Sequence, residues 1–298
     1  MSFLINTISG DADFIKEINN SLFTGYVHST FNRTFNIKSF ENGDLYTIAC
    51  SKLDNGPNTL IIDVDNMKPL EIGVSDRVRV EQNFLYIGDK LIISIDKINK
   101  WESVLPAYPC KVETVKQNLI KMKEYINIHG VGGGIKKNAI PQNPFEAEVS
   151  NMLEKRTLLL LNELLNDRIS SALPHAVSIV GLGPGLTPSG DDFLTGLFTI
   201  FNMKNSPFNP YRLFCEDVLK KAKTLTNDIS YMTLKKAAFG KVRESIISLL
   251  NSLLVEDDED LILSLNKLLN IGSSSGTDIA YGIVFGMEAT IRAGGKVC

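Results

Sequence analysis

Cysteine and histidine are scarce in this chain, and neither falls into a pattern. The four cysteines, Cys50, Cys110, Cys215 and Cys298, are scattered without paired spacing. That excludes a disulfide or zinc framework and reads as free thiols in a reducing compartment. The three histidines, His28, His129 and His175, have neither metal spacing nor an evident triad partner, so structural or surface roles are favoured. No block of lysine or arginine accompanies the formal net charge of −3, so nucleic acid is not an expected partner. No apolar run reaches the roughly 18 residues that a membrane span needs. The opening residues carry only a short apolar patch before Asp11 and Asp13, with no basic region, so no signal peptide is expected. A cytoplasmic location follows by default.

What remains is 298 residues, 44% hydrophobic and 22% charged, an ordinary globular balance with length for two domains or one large one. Periodicity divides the chain. Residues 22–100 alternate and turn often. Strand candidates are Phe23–Phe31, Leu45–Cys50, Thr59–Val64, Arg77–Val80, Phe84–Ile87 and Leu91–Ile95. Asn42-Gly43-Asp44 and Gly88-Asp89 supply hairpin chemistry. After Trp101, which reads as an anchor at a domain junction, helical spacing takes over. It predicts helices over 112–125, over 145 to about 173 with Leu158 to Leu161 buried, and over 210–224. Others follow over 227–253 with a break near Gly240, over 256–270 behind the acidic run Glu256 to Asp260, and over 278–292. The expected fold class is α+β. A β-rich barrel or sandwich (1–105) precedes a linker helix and Gly-rich loop (106–144), and then a mostly helical domain (145–298).

Residues 181–196 read Gly-Leu-Gly-Pro-Gly-Leu-Thr-Pro-Ser-Gly-Asp-Asp-Phe-Leu-Thr-Gly, and the end of this string recurs. Ser189, Gly190, Asp192 and Gly196 align with Ser275, Gly276, Asp278 and Gly282. A Gly-rich loop that opens an apolar helix can bare backbone N–H groups to an anion. The candidate substrate-binding residues are therefore Gly183, Gly185, Thr187, Ser189 and Gly190 in one loop, and Ser274, Ser275 and Gly276 in the other. Asp191, Asp192 and Asp278 are the candidate catalytic carboxylates, able to orient a hydroxyl, pair with an amide or hold Mg²⁺; no other cofactor is indicated. The bland alternative is that Ser-Gly-Asp-Asp merely caps a helix. Gly196, Gly282 and Gly286 are most simply explained by close helix crossing. Neither a Walker loop nor a dinucleotide fingerprint is present. If the skeleton serves one site, the two loops should face each other across a cleft, related by a local twofold, with an anion on their N–H groups.

Weaker signals accompany these. Gly130-Val-Gly-Gly-Gly134, beside His129 and ahead of Lys136 and Lys137, reads as a flexible linker, with a mobile lid as the second reading. Thr226, Ser230 and Arg243 either face the loops across a helical bundle or sit at capping or solvated positions.

The string from Gly181 to Gly196 resembles the signature of the bacterial family that includes AllH, a subunit of an oxamate carbamoyltransferase of anaerobic allantoin breakdown in purine catabolism. Gly25–Phe31 is similar to that family's opening strand, and Leu85 through Trp101 to the end of its β-rich part. Thr226, Ser230, Ala237, Ala238 and Gly240 resemble its Thr…Ser…Ala…Gly helix, and Gly272 to Asp278 its second loop. The resemblance implies a transferase that interconverts oxalurate plus phosphate with oxamate plus carbamoyl phosphate, together with other subunits. Its substrates are small anions bearing amides. The alternative is a non-catalytic metabolite-binding or assembly subunit of a multi-subunit complex.

Overall fold

Apolar alternation near the start of the chain closes on itself. In the computed structural model, which describes residues 3–19, 23–138, 140, 143–207 and 212–294, one unit spans Met1–Ser103 and a second Val104–Cys298. The first contains β1 (Phe3–Asp11), α1 (Ala12–Asn19), β2 (Thr24–Thr30), β3 (Thr34–Ser39), β4 (Leu45–Cys50) and β5 (Thr59–Ile62). A 3₁₀ turn (Lys68–Leu70) leads to β6 (Arg77–Glu81), β7 (Phe84–Ile87), β8 (Leu91–Ser94) and β9 (Asn99–Trp101). The sheet order is β5-β4-β3-β2-β6-β7-β8-β1-β9, and β1 also pairs antiparallel with β5. That pairing closes an eight-stranded barrel, with β9 as an extra strand on β1. Closure leaves few free edges.

The two hairpins fall where the turn chemistry puts them. β3 and β4 are joined through Gly43 (φ 70°), and β7 and β8 through Gly88 (φ 51°). Phe14, Phe23 and Tyr46 pack together in the core, with ring centroids 4.5 to 5.8 Å apart. The sequence reading omitted β1, α1, β3 and β9. β3 carries a buried asparagine, Asn36, which donates to Ser29 Oγ and accepts from Thr47 Oγ1. Phe35 and Ile37 on either side of it face the core, so Asn36 points to the opposite face, where Ser29 and Thr47 cover it. Trp101 ends β9, half-buried and paired with Asp11.

The second unit is helical: α2 (Glu113–His129), α3 (Pro144–Leu165), α4 (Ile169–Ile179), α5 (Ser189–Phe201), α6 (Arg212–Ala222), α7 (Asp228–Ala238), α8 (Glu244–Leu253), α9 (Asp258–Leu269) and α10 (Ser275–Gly294). The single long helix expected over 145–173 is two helices. Asp167, at φ 59°, turns the chain between α3 and α4. Leu160 and Leu161 are buried, but Leu158 and Leu159 are exposed rather than buried. Gly240, at φ 72°, separates α7 from α8. The acidic run sits at the start of α9, where Asp257 caps the helix by accepting from Asp260 N at 3.0 Å and the following carboxylates meet the positive dipole end.

Two helices organise this unit. All thirteen residues of α5 are buried, and α10 crosses it. Gly286 of α10 packs on Ile200 of α5. Among the described residues, no helix is long and apolar enough to cross a membrane. Cys50, Cys110 and Cys215 are free, and Cys298 lies outside the described residues.

Candidate functional site

The two repeated segments build matching hairpins. The loop after α4 passes through Gly183, whose φ of 118° lies in the left-handed region and whose Cα sits against Ser189: a methyl there would lie 2.7 Å from Ser189 N. It then enters α5 with Gly190 packed so tightly on Ile179 O that a side chain would overlap it. The loop after α9 does the same, with Gly276 packed on Leu268 O. Where the helices cross, the contacts are exchanged. Gly196 of α5 lies on Ile279 O of α10, and Gly282 of α10 lies on Phe193 O of α5. Gly196 thus meets the residue three before Gly282, and Gly282 the residue three before Gly196, which is the geometry of a local twofold.

The twofold brings the two loops together. Thr187 Oγ1 donates to Asp192 Oδ2 at 2.9 Å and lies 3.0 Å from Ser275 Oγ. Asp192 faces the Ser275 hydroxyl, and Asp278 faces those of Ser189 and Ser274. Each helix's carboxylate therefore looks at the serine that opens the other helix. Burial pushes Asp192 up to about 8 and Asp278 up to about 7, against the stabilising pull of these hydroxyls. The neighbouring charges of Asp278 and Asp191 raise Asp192 further. Both carboxyls are almost fully withdrawn from solvent.

Asp191 has a different place. Its oxygens accept from Gly181 N (2.8 Å), Thr226 Oγ1 (2.5 Å) and Ser230 Oγ (2.6 Å). Burial raises its pKa, and these donors oppose the rise. Thr226 and Ser230 therefore face the first loop, and Asp191 fastens that loop to the start of α7. Arg243 stands half-buried just ahead of α8. Gly185 lies exposed on the outside of the loop, apart from the carboxylates.

Two expectations need correction. Ser189 does not cap α5: the cap position is Pro188, and no side chain bonds there. Several of the first N–H groups of the two helices are already taken. Gly190 N donates to Leu182 O, Asp191 N and Asp192 N to Pro188 O, Gly276 N to Ile271 O, and Asp278 N to Ser274 O. Each preceding loop folds back tightly enough to supply these carbonyls.

The Gly-rich segment joins the constellation, which no periodicity revealed. Val131 N donates to Thr277 Oγ1 at 2.9 Å and Ile135 N to Asp278 Oδ1 at 2.7 Å. Gly134 lies directly on Asp278 and Ser189, where a methyl would overlap both. Lys136 Nζ ties the segment to the end of α2 through Ile126 O, Asn127 O and Gly130 O. Beneath it, Ser189 Oγ and Asp278 Oδ2 are buried with no partner in hydrogen-bond geometry among the described residues. No group of three or more His, Cys, Asp or Glu among the described residues is placed to hold a metal ion.

Two family models match the chain. The N-terminal domain of the AllH family matches residues 6–100, and the model described as oxamate carbamoyltransferase subunit AllH matches residues 179–287. The second match spans both loops and most of α10. No solved structure matches the chain.

Proposed function

The chain belongs to the AllH family, and from that premise we propose that it is a subunit of a carbamoyl-transferring enzyme that holds a small anionic, amide-bearing substrate between its two repeated loops. The observation that carries this reading is the convergence of Thr187, Ser189 and Asp192 with Ser275 and Asp278 across the α5–α10 twofold. Capping alone requires no such meeting. Oxamate joins a carboxylate to a primary amide. A carboxyl that stays protonated near neutrality donates as well as accepts, so Asp192 and the hydroxyls can receive the carboxylate while Asp278 accepts from the amide. The role is positioning and electrostatic stabilisation rather than covalent attack. In this reading Asp191 orders the first loop, and Gly183, Gly190, Ser274 and Gly276 give the loops their shape. Other subunits complete the enzyme, and the cytoplasm is its place.

The test is binding to the full chain. Thermal shift and calorimetry with oxamate, oxalurate, carbamoyl phosphate and phosphate, with and without Mg²⁺, should show a raised midpoint for at least one amide-bearing anion. Asp192→Asn should abolish that response while folding is retained. Silence from every anion overturns the reading. A non-catalytic assembly subunit is the second reading, favoured by the internal saturation of Asp191. It requires Asp192→Asn to retain full activity in the reconstituted complex.

A further inference from the structure

Four observations meet at Gly134. Asp278 Oδ1 already accepts a backbone amide, from Ile135 N at 2.7 Å, a residue 143 positions away in sequence. Asp278 Oδ2 and Ser189 Oγ, both buried, stand beside it without a partner in hydrogen-bond geometry among the described residues. Gly134 covers the two with no room for a side chain. The segment is rich in glycine, and its backbone donors to α10 are Val131 N and Ile135 N. The Ser189 hydroxyl faces this carboxyl without reaching hydrogen-bond geometry, so both buried atoms are left short of a well-placed partner, which is unfavourable.

We propose that the Gly134–Ile135 peptide unit occupies the amide subsite of this constellation in its closed state, and that a ligand bearing a primary amide displaces it. This deepens the reading above and rests on it. A primary amide offers two N–H donors and one carbonyl acceptor. One N–H reproduces the bond Ile135 now makes to Asp278, and the carbonyl accepts from Ser189 Oγ. A second carboxylate in the same place would set charge against Asp278 instead. The Gly-rich segment is thus a displaceable plug. Lys136 holds its far side to the end of α2, so it can swing without losing that attachment.

The experiment is hydrogen exchange on the full chain, read at the amides of Val131 and Ile135, with saturating oxamate or oxalate. Oxamate should speed exchange at both amides severalfold, and oxalate should leave it unchanged. Oxamate bound with exchange unchanged or slowed overturns the plug. Gly134→Ala gives the second arm, because its methyl must expel the segment from Asp278 and Ser189. A plug closed about nine times in ten weakens apparent affinity about tenfold, so the variant should bind oxamate about tenfold more tightly. An unchanged or weaker affinity overturns the proposal. If the variant fails to fold, exchange in the native chain decides. If oxamate binds wild type with unmoved exchange, the plug falls and the proposed function stands. If it binds neither wild type nor Gly134→Ala, both fall.

Discussion

Gly196 and Gly282 meet back to back, each lying on a backbone carbonyl of the other's helix, and every approach of the two loops depends on that contact. The neighbours are main chain, which cannot rotate aside as a side chain can. Gly282→Leu should therefore destabilise the fold by at least the usual overpacking cost of about 1–3 kcal/mol. A urea titration measures it. An unchanged midpoint would show that α5 and α10 can separate without penalty.

Asp191 ought to govern stability more than binding. Its removal strands two hydroxyls, on Thr226 and Ser230, and one backbone N–H, on Gly181. A buried donor left without a partner costs about 1–3 kcal/mol. Asp191→Ala should lower the midpoint of thermal unfolding markedly, and adding Ser230→Ala should cost little more. Strict additivity of the two changes would show that they do not act on one network.

The raised carboxyls set a pH dependence of known sign. Asp192 and Asp278 titrate near 8 and 7 in the folded chain but near 3.8 as ordinary aspartates. Between about pH 4 and pH 8 the folded state holds protons that the unfolded chain has released. Stability contributed by this pair is thus greatest at the acidic end, falls as pH rises through that window, and levels off above it. The double variant Asp192→Asn/Asp278→Asn should show a flatter midpoint-versus-pH curve and gain on the wild type at pH 8. Parallel curves for the two proteins would remove the basis for neutral carboxyls here.

The barrel should fold without the helices. It owns a closed sheet and a separate core built on Phe14, Phe35, Ile37, Leu60 and Leu85. A fragment of residues 1–103 is expected to unfold cooperatively, with a β-type far-ultraviolet spectrum. A molten fragment would mean that the barrel depends on the rest of the chain.

The elements that announced themselves in the sequence are those whose cause is local. β4, β7 and β8 alternate beside glycine turns, and α7 and α8 are parted by Gly240. β1 escaped because its pairing is distant: it runs parallel to β8 and β9 and antiparallel to β5, with no hairpin of its own. The break between α3 and α4 was written in Asn166-Asp167, two residues that tolerate turn conformations, but the leucines around it kept helical spacing. The repeated Ser-Gly-x-Asp skeleton told of two related helix starts, and the structure sets them together through Thr187 and Ser275. The seat of Gly134 on Asp278 had no such signal. A run of glycines carries no side chains, and so no pattern from which a partner could be read.

The reciprocal facing of Asp192 and Ser275 with Asp278 and Ser189 also has a consequence in time. α5 is buried on every side and leaves the ribosome well before α10, the helix it lies against. Through that interval the nascent chain carries a largely apolar helix with no groove to occupy and half of the constellation. Synthesis therefore passes through a stage prone to sticking, at which a chaperone is most useful. A chain halted before α10 would leave Thr187 and Asp192 without Ser275 opposite them.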